Sequence, residues 1–263
     1  MKKHIIVIPC ILLLFAFNAY AQKDIKITYD QGLISSKEEK ILGKAIQYEA
    51  DFFNRLFPDK QINITDIKFT VVTDYIKFIS VQSRAFGSTH NISGFFSPKD
   101  SSLFVYKDRK TSSDRFLQTS FHEMAHAFLT LYSGQKYLPP WFNEGLAVYL
   151  ERMSFEKKKI SQKIDMHKIN RVKTLIELKD IDLSDFAEWN YNKFSSESFS
   201  QEGYGYCVGY CMVYFLMQKD ETRAIKIFQH LIGSNSSIKI FDQHYPGGFV
   251  QFEKEFMEYY EKH

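Results

Sequence analysis

The chain has 263 residues, 44% of them hydrophobic and 16% aromatic, with 34 basic and 31 acidic side chains and a formal charge of +3. That length supports a sizeable core in one domain, or a small N-terminal subdomain fused to a helical one. The near-balanced charge removes the electrostatic case for nucleic acid as a partner, and three cysteines leave disulfides little role.

In chain order, Met1-Lys2-Lys3 is followed by a 13-residue apolar run, 5–17, and by Ala19-Tyr20-Ala21, an A-x-A cleavage site. The run is too short to span a bilayer comfortably. Residues 1–21 are therefore read as a cleaved signal peptide, with export to a periplasmic or extracellular location and no stable membrane insertion. Cys10 follows Pro9 without a small residue before it, which argues against lipoprotein processing. Taking Lys2 and Lys3 from the 34 basic residues leaves 32 against 31 acidic ones.

Beyond this lead, Ser35-Ser36 caps an amphipathic helix over 37–57 that Pro58 closes. Alternation and β-branched content predict a strand over 67–72, and a helix follows over 74–84. Gly94-Phe95-Phe96-Ser97 and Leu103-Phe104-Val105-Tyr106 read as paired strands around 98–101. From 113 onward the pattern is helical, over about 114–132, 141–156, 166–178, 204–218, 221–232 and 249–261. Residues 180–203 are polar and aromatic and read as an irregular loop. The expected fold class is α+β. A small sheet-containing half, 22–112, precedes a mainly helical half, 113–263, within one catalytic domain.

The helix over 114–132 carries His122-Glu123-Met124-Ala125-His126, an HExxH pattern. Residues 122 and 126 are about 400° apart with a rise of roughly 6 Å, so both imidazoles leave one face. Ser133-Gly134 stops this helix and Pro139-Pro140 precedes the next, which presents Glu144 near its first turn. Two imidazoles and that carboxylate form a three-ligand Zn²⁺ site, His122, His126 and Glu144, whose fourth position is left to water. Glu123, one step round the helix, reaches such a water without being a ligand. This is the equipment of a zinc hydrolase.

These residues, with Trp141-Phe142-Asn143-Glu144-Gly145-Leu146-Ala147-Val148-Tyr149-Leu150-Glu151-Arg152, resemble the gluzincin metallopeptidases. The compact length, the Leu138-Pro139-Pro140-Trp141 lead-in and the tyrosine-rich downstream helix are similar to the small peptidase MA-like family. No GAMEN-like amine-anchoring segment precedes the metal helix, so the likeness does not extend to aminopeptidase specificity. The resemblance implies a secreted zinc metallopeptidase acting on a peptide or protein, with one Zn²⁺ per chain. His122, His126 and Glu144 would be the ligands, and Glu123 the general base acting on zinc-bound water.

Glu151 matches the acidic residue seven positions after the ligand Glu. Two helical turns place it on the Glu144 face, where it accepts a hydrogen bond from a ligand imidazole. The oxyanion needs a stabiliser besides zinc, and the family pattern places a tyrosine near the start of the Gly203–Tyr210 helix. Tyr206 aligns best, with Tyr204 next. The substrate strand expected before the metal helix would be Gly94–Ser97, which otherwise is a plain core hairpin. The second reading from another class is a non-catalytic gluzincin-like zinc-binding or interaction domain.

Other features read as structural. Gly145 allows close packing of its helix, Trp141, Phe142 and Tyr149 belong to the core, and Cys207 and Cys211 are two small buried thiols. Glu156-Lys157-Lys158-Lys159 is read as a solvated helix end, and His90, His167, His230, His244 and His263 lack ligand spacing.

Overall fold

The computed structural model describes residues 27–29, 33–60, 68–88, 92–156, 159–201 and 203–262. The expected signal segment 1–21, Ile67, His90, Lys157, Lys158 and His263 lie outside them.

The N-terminal half contains β1 (Ile27–Tyr29), α1 (Ser36–Leu56), β2 (Lys68–Val72), α2 (Tyr75–Phe86), β3 (Gly94–Ser97) and β4 (Ser102–Tyr106). The four strands form one sheet in the order β1-β2-β4-β3. β1, β2 and β4 run parallel, while β3 pairs antiparallel to β4 with Phe95 opposite Phe104 and Phe96 opposite Leu103. β3 therefore forms one edge.

Alternation along the strands sends side chains to two faces. Phe69, Val71, Phe96, Leu103 and Val105 join the main core, whereas Val72 and Phe95 pack with Phe78 of α2 and with Phe104 and Tyr106. The sheet is thus covered by α2 on one side and by the rest of the molecule on the other.

α1 begins with a capping box, in which Ser35 accepts from the Glu38 backbone N–H and Glu38 accepts from the Ser35 backbone. Glu38 also accepts from Lys107 Nζ at 2.6 Å, a buried pair tying α1 to the chain just after β4. Lys107 Nζ lies 4.6 Å from the Phe116 ring centroid, which extends the tie into the next helix.

That helix is α3 (Ser113–Ser133), capped by Ser112 and ended by Gly134 in the left-handed region. Phe53 of α1 stacks on Phe128 and Tyr132 of α3 at 5.4 and 5.8 Å. The helical half continues with α4 (Pro140–Glu151), the hairpin β5 (Met153–Glu156) and β6 (Lys159–Gln162), then α5 (Met166–Glu177), α6 (Leu183–Ala187) and α7 (Tyr191–Ser200). It closes with α8 (Tyr204–Lys219), α9 (Glu221–Leu231), α10 (Ser237–His244) and α11 (Gly248–Lys262). The fold is α+β, a small mixed sheet followed by a mostly helical half, and one apolar cluster runs from Leu42 to Tyr260.

Three local expectations change. The helix expected over 141–156 stops at Glu151, and the chain turns instead into the β5–β6 ribbon, which places Met153 in the core and packs Phe155 and Ile160 against it. Residues 180–203 are not irregular but contain α6 and α7, capped by Asp182 and Asn190. α10, capped by Ser236, lies in the gap left between the last two expected helices. No helix among the described residues is long and apolar enough to cross a membrane.

α4 and α8 cross with almost no space between them. A Cβ built on Gly145 would fall 2.4 Å from the Gly209 carbonyl oxygen, and one on Gly209 would fall 2.8 Å from the Trp141 oxygen. Only glycine at both positions allows this approach. It fixes α4, which carries Glu144, against the tyrosine-rich α8.

Candidate metal centre

The ligand helix and its partner meet as their sequences require. On α3 the i, i+4 spacing puts His122 and His126 on one face, with ring centroids 4.8 Å apart. α4 starts at Pro140, whose missing N–H and fixed φ suit a helix start. One Glu144 carboxylate oxygen then lies 3.5 Å from each Nε2, and the two Nε2 atoms are 3.1 Å apart. His122, His126 and Glu144 form a group able to hold a metal ion.

The spacing fits one small cation. A tetrahedral ion with bonds of about 2.0–2.1 Å holds its ligand atoms about 3.3–3.4 Å from one another. The triangle of 3.1, 3.5 and 3.5 Å brackets that figure.

Hydrogen bonding decides which nitrogens are free. His122 Nδ1 lies 3.0 Å from Glu151 Oε2 and His126 Nδ1 lies 3.1 Å from Asn143 Oδ1. A carboxylate and an amide oxygen only accept, so each Nδ1 is the donor and each neutral ring keeps its lone pair on Nε2. Two such lone pairs facing one another at 3.1 Å need a positive charge between them.

The electrostatics agree. Burial works against a charged His122, yet Glu144, Glu151 and Glu123 outweigh it and lift its pKa well above the ordinary value. His126 is also raised, burial being opposed by Glu144. Burial tends to raise the Glu144 carboxyl, but His126 and His122 hold it well below the carboxylate range. Three carboxylates around two imidazoles favour added positive charge.

Behind His122, Glu151 is held by Lys168 Nζ at 3.5 Å, and the same ammonium meets Asp165 at 2.9 Å. Asp165 caps α5, accepting from the Lys168 backbone. Lys168 thus holds one Glu151 oxygen while the other faces His122 Nδ1. Sequence reading missed Asn143 and Lys168. The position before the ligand Glu was a signal for the first; nothing local marked the second, which reaches the site only because α5 folds back on α8.

A cleft of about 560 Å³ opens beside the group. It is lined by His122, Glu123, His126 and Glu144, by Gly94, Phe95 and Phe96 of β3, and by Tyr191 and Tyr206. Burial raises the Glu123 pKa, partly offset by His122 and His126. A Cβ on Gly94 would fall 2.7 Å from Glu123 Cγ, so the glycine lets the edge strand reach the metal helix there. Tyr206 sits edge-on to Phe194 at 5.3 Å and faces the cleft; Tyr204 is buried and stacked on Trp189 at 5.5 Å.

Glu49 of α1 is also fully buried, with no hydrogen-bond partner for either oxygen among the described residues, and burial raises its pKa well above the ordinary range. Cys207 and Cys211 are free, buried and outside the metal group.

Residues 116–236 match the model of a family described as "Protein of unknown function (DUF1570)". The matched span includes the metal group with Glu123, Asn143, Glu151, Asp165 and Lys168, and leaves out Glu49 and β3. No curated protein matches the chain.

Proposed function

We propose that this chain is a zinc-dependent metallopeptidase of the gluzincin type that hydrolyses bonds in a peptide or protein substrate. The observation that carries the reading is the convergence of His122 Nε2, His126 Nε2 and one Glu144 oxygen beside a cleft that Glu123 also lines. Zinc suits a donor set of two imidazoles and one carboxylate with an open side. When bound, zinc supplies Lewis acidity that polarises a carbonyl and makes a water more acidic.

The chain's own residues supply the rest. Glu151 and Asn143 orient the two rings through their Nδ1 hydrogens. Glu123 takes the proton of the attacking water and passes it to the leaving amine. Its burial strengthens it as a base. Tyr206 donates to the carbonyl oxygen as negative charge develops there; burial raises its pKa, which keeps the phenol protonated at neutral pH. β3 offers an edge to an extended substrate. Export through residues 1–21 would place this activity outside the cytosol.

Zinc-loaded wild type and Glu123→Gln, compared on a mixed peptide library, test the reading. Equal zinc content is expected, with turnover in the variant lower by at least about 10²-fold. Equal inertness of both proteins on every peptide would instead favour a non-catalytic zinc-binding or interaction domain.

A further inference from the structure

The core covers α3 on all sides but one. From Phe116 to Tyr132 it takes most of the side chains, whereas Thr119, His122, His126 and Thr130 recur at three or four residues and are only partly buried. Exposed Arg115, in the first turn, continues that stripe.

The stripe is the floor of a groove. The 560 Å³ cleft follows it from His122 to Ser133, and a second depression of about 260 Å³ follows it the other way, past Thr119 to Arg115. The two share Ile92, Gly94, His122 and Glu123, so they adjoin at the metal group. β3 is the wall at this junction, where a Cβ on Gly94 would fall 2.7 Å from Glu123 Cγ and 3.0 Å from Thr119 Cγ2. A third depression, of about 400 Å³, shares Ser93, Arg115 and Thr119 with the second and carries the groove past the start of α3.

Helix geometry gives the reach. Arg115 lies seven residues before His122 and Ser133 seven after His126, a rise of about 10 Å on each side. An extended chain advances about 3.3 Å per residue, so about three residues fit on either side of a bond held at the metal group. Trimming a chain end needs a cleft closed near that bond; cutting within a chain needs length on both sides. Arg115 lines both outer depressions. The nearby carboxylates have other partners, Glu151 facing His122 and Lys168 and Asp108 accepting from Thr111. A guanidinium so placed suits a carboxylate on a bound chain.

We propose that the chain cuts internal bonds of an extended peptide lying along α3, with Arg115 the specificity-determining residue that takes an acidic side chain about three residues from the bond cut. This rests on the peptidase reading above.

The test uses the zinc-loaded full chain and a library of peptides about ten residues long, in one form with acetyl and amide ends and in another with free ends. Mass spectrometry identifies the products. Wild type is expected to cut the blocked library at internal bonds, and to prefer Asp or Glu over Lys or Arg at one position about three residues from the cut. R115E replaces attraction by repulsion, and its new acid suits the first turn of a helix, so the variant folds. The acidic-to-basic preference at that position is expected to fall by about 10-fold. Binding gives a readout apart from turnover. In Glu123→Gln protein, adding R115E is expected to shift the relative affinity for an acidic blocked peptide and its basic counterpart by the same factor.

Cleavage confined to the free-ended library, releasing residues from an end, overturns the inference. So does a wild-type profile with no acid-preferring position, or R115E that keeps the wild-type preference. Wild type that cuts neither library removes the peptidase reading and this inference with it.

Discussion

Glu151 Oε2 lies 3.0 Å from His122 Nδ1, two helical turns beyond Glu144, and its other oxygen lies 3.5 Å from Lys168 Nζ. One helix, α4, therefore supplies both a ligand and the group that orients another ligand. Partners of this kind are worth about 10- to 100-fold in metal affinity. Glu151→Leu is expected to weaken zinc binding by about that factor, measured by chelator competition at neutral pH. Lys168→Met, which frees the same carboxylate from its cation, is expected to lower affinity in the same direction by a smaller factor.

Gly145 and Gly43 make a matched pair. Both lie inside helices, where alanine is intrinsically better by about 1 kcal/mol. A Cβ on Gly43 meets nothing within 4 Å, whereas one on Gly145 meets the Gly209 backbone at 2.4 Å. Backbone cannot step aside, and overpacking of this kind costs about 1–3 kcal/mol or more. Urea unfolding should find Gly43→Ala more stable than wild type and Gly145→Ala less stable by about 2 kcal/mol. Gly145→Ala should also bind zinc more weakly, because α4 carries Glu144.

The buried Glu38–Lys107 pair predicts a pH dependence of stability. Burial opposes ionisation of Glu38, but hydrogen bonds from Lys107, the Ser35 backbone and the Ser35 and Ser113 side chains bring its pKa from 4.5 down to about 2. A group whose pKa is depressed in the folded state contributes stability above its unfolded pKa and loses it as pH falls through the folded one. The gap corresponds to about 3 kcal/mol at neutral pH. Wild type should lose this between about pH 4.5 and 2. Glu38→Gln should be less stable at pH 7 by about 3 kcal/mol, with the difference closing below pH 4.5 in denaturant titrations.

The metal group was legible because it depends on short-range geometry. The His122/His126 spacing fixes one face of a helix, Pro139-Pro140 fixes where α4 starts, and Glu144 and Glu151 are two turns apart on it. The β3–β4 hairpin was legible from two short apolar runs on either side of the turn residues 98–101. α6 and α7 were not, being short helices whose apolar positions are too few for a period. Their caps, Asp182 and Asn190, were the available signal. That miss hid Tyr191, which lines the cleft from the start of α7. Lys168 was hidden for a different reason. Its place beside Glu151 is set by α5 packing back on α8, a long-range event that local pattern does not encode.

The account turns on Glu144 binding the same ion as His122 and His126. Zinc titration of wild type and Glu144→Ala, each read by chelator competition, tests this most directly. Wild type is expected to bind one zinc per chain tightly, and the variant at least about 10²-fold more weakly, since one of three protein ligands is gone. A variant that holds zinc as tightly as wild type would contradict it.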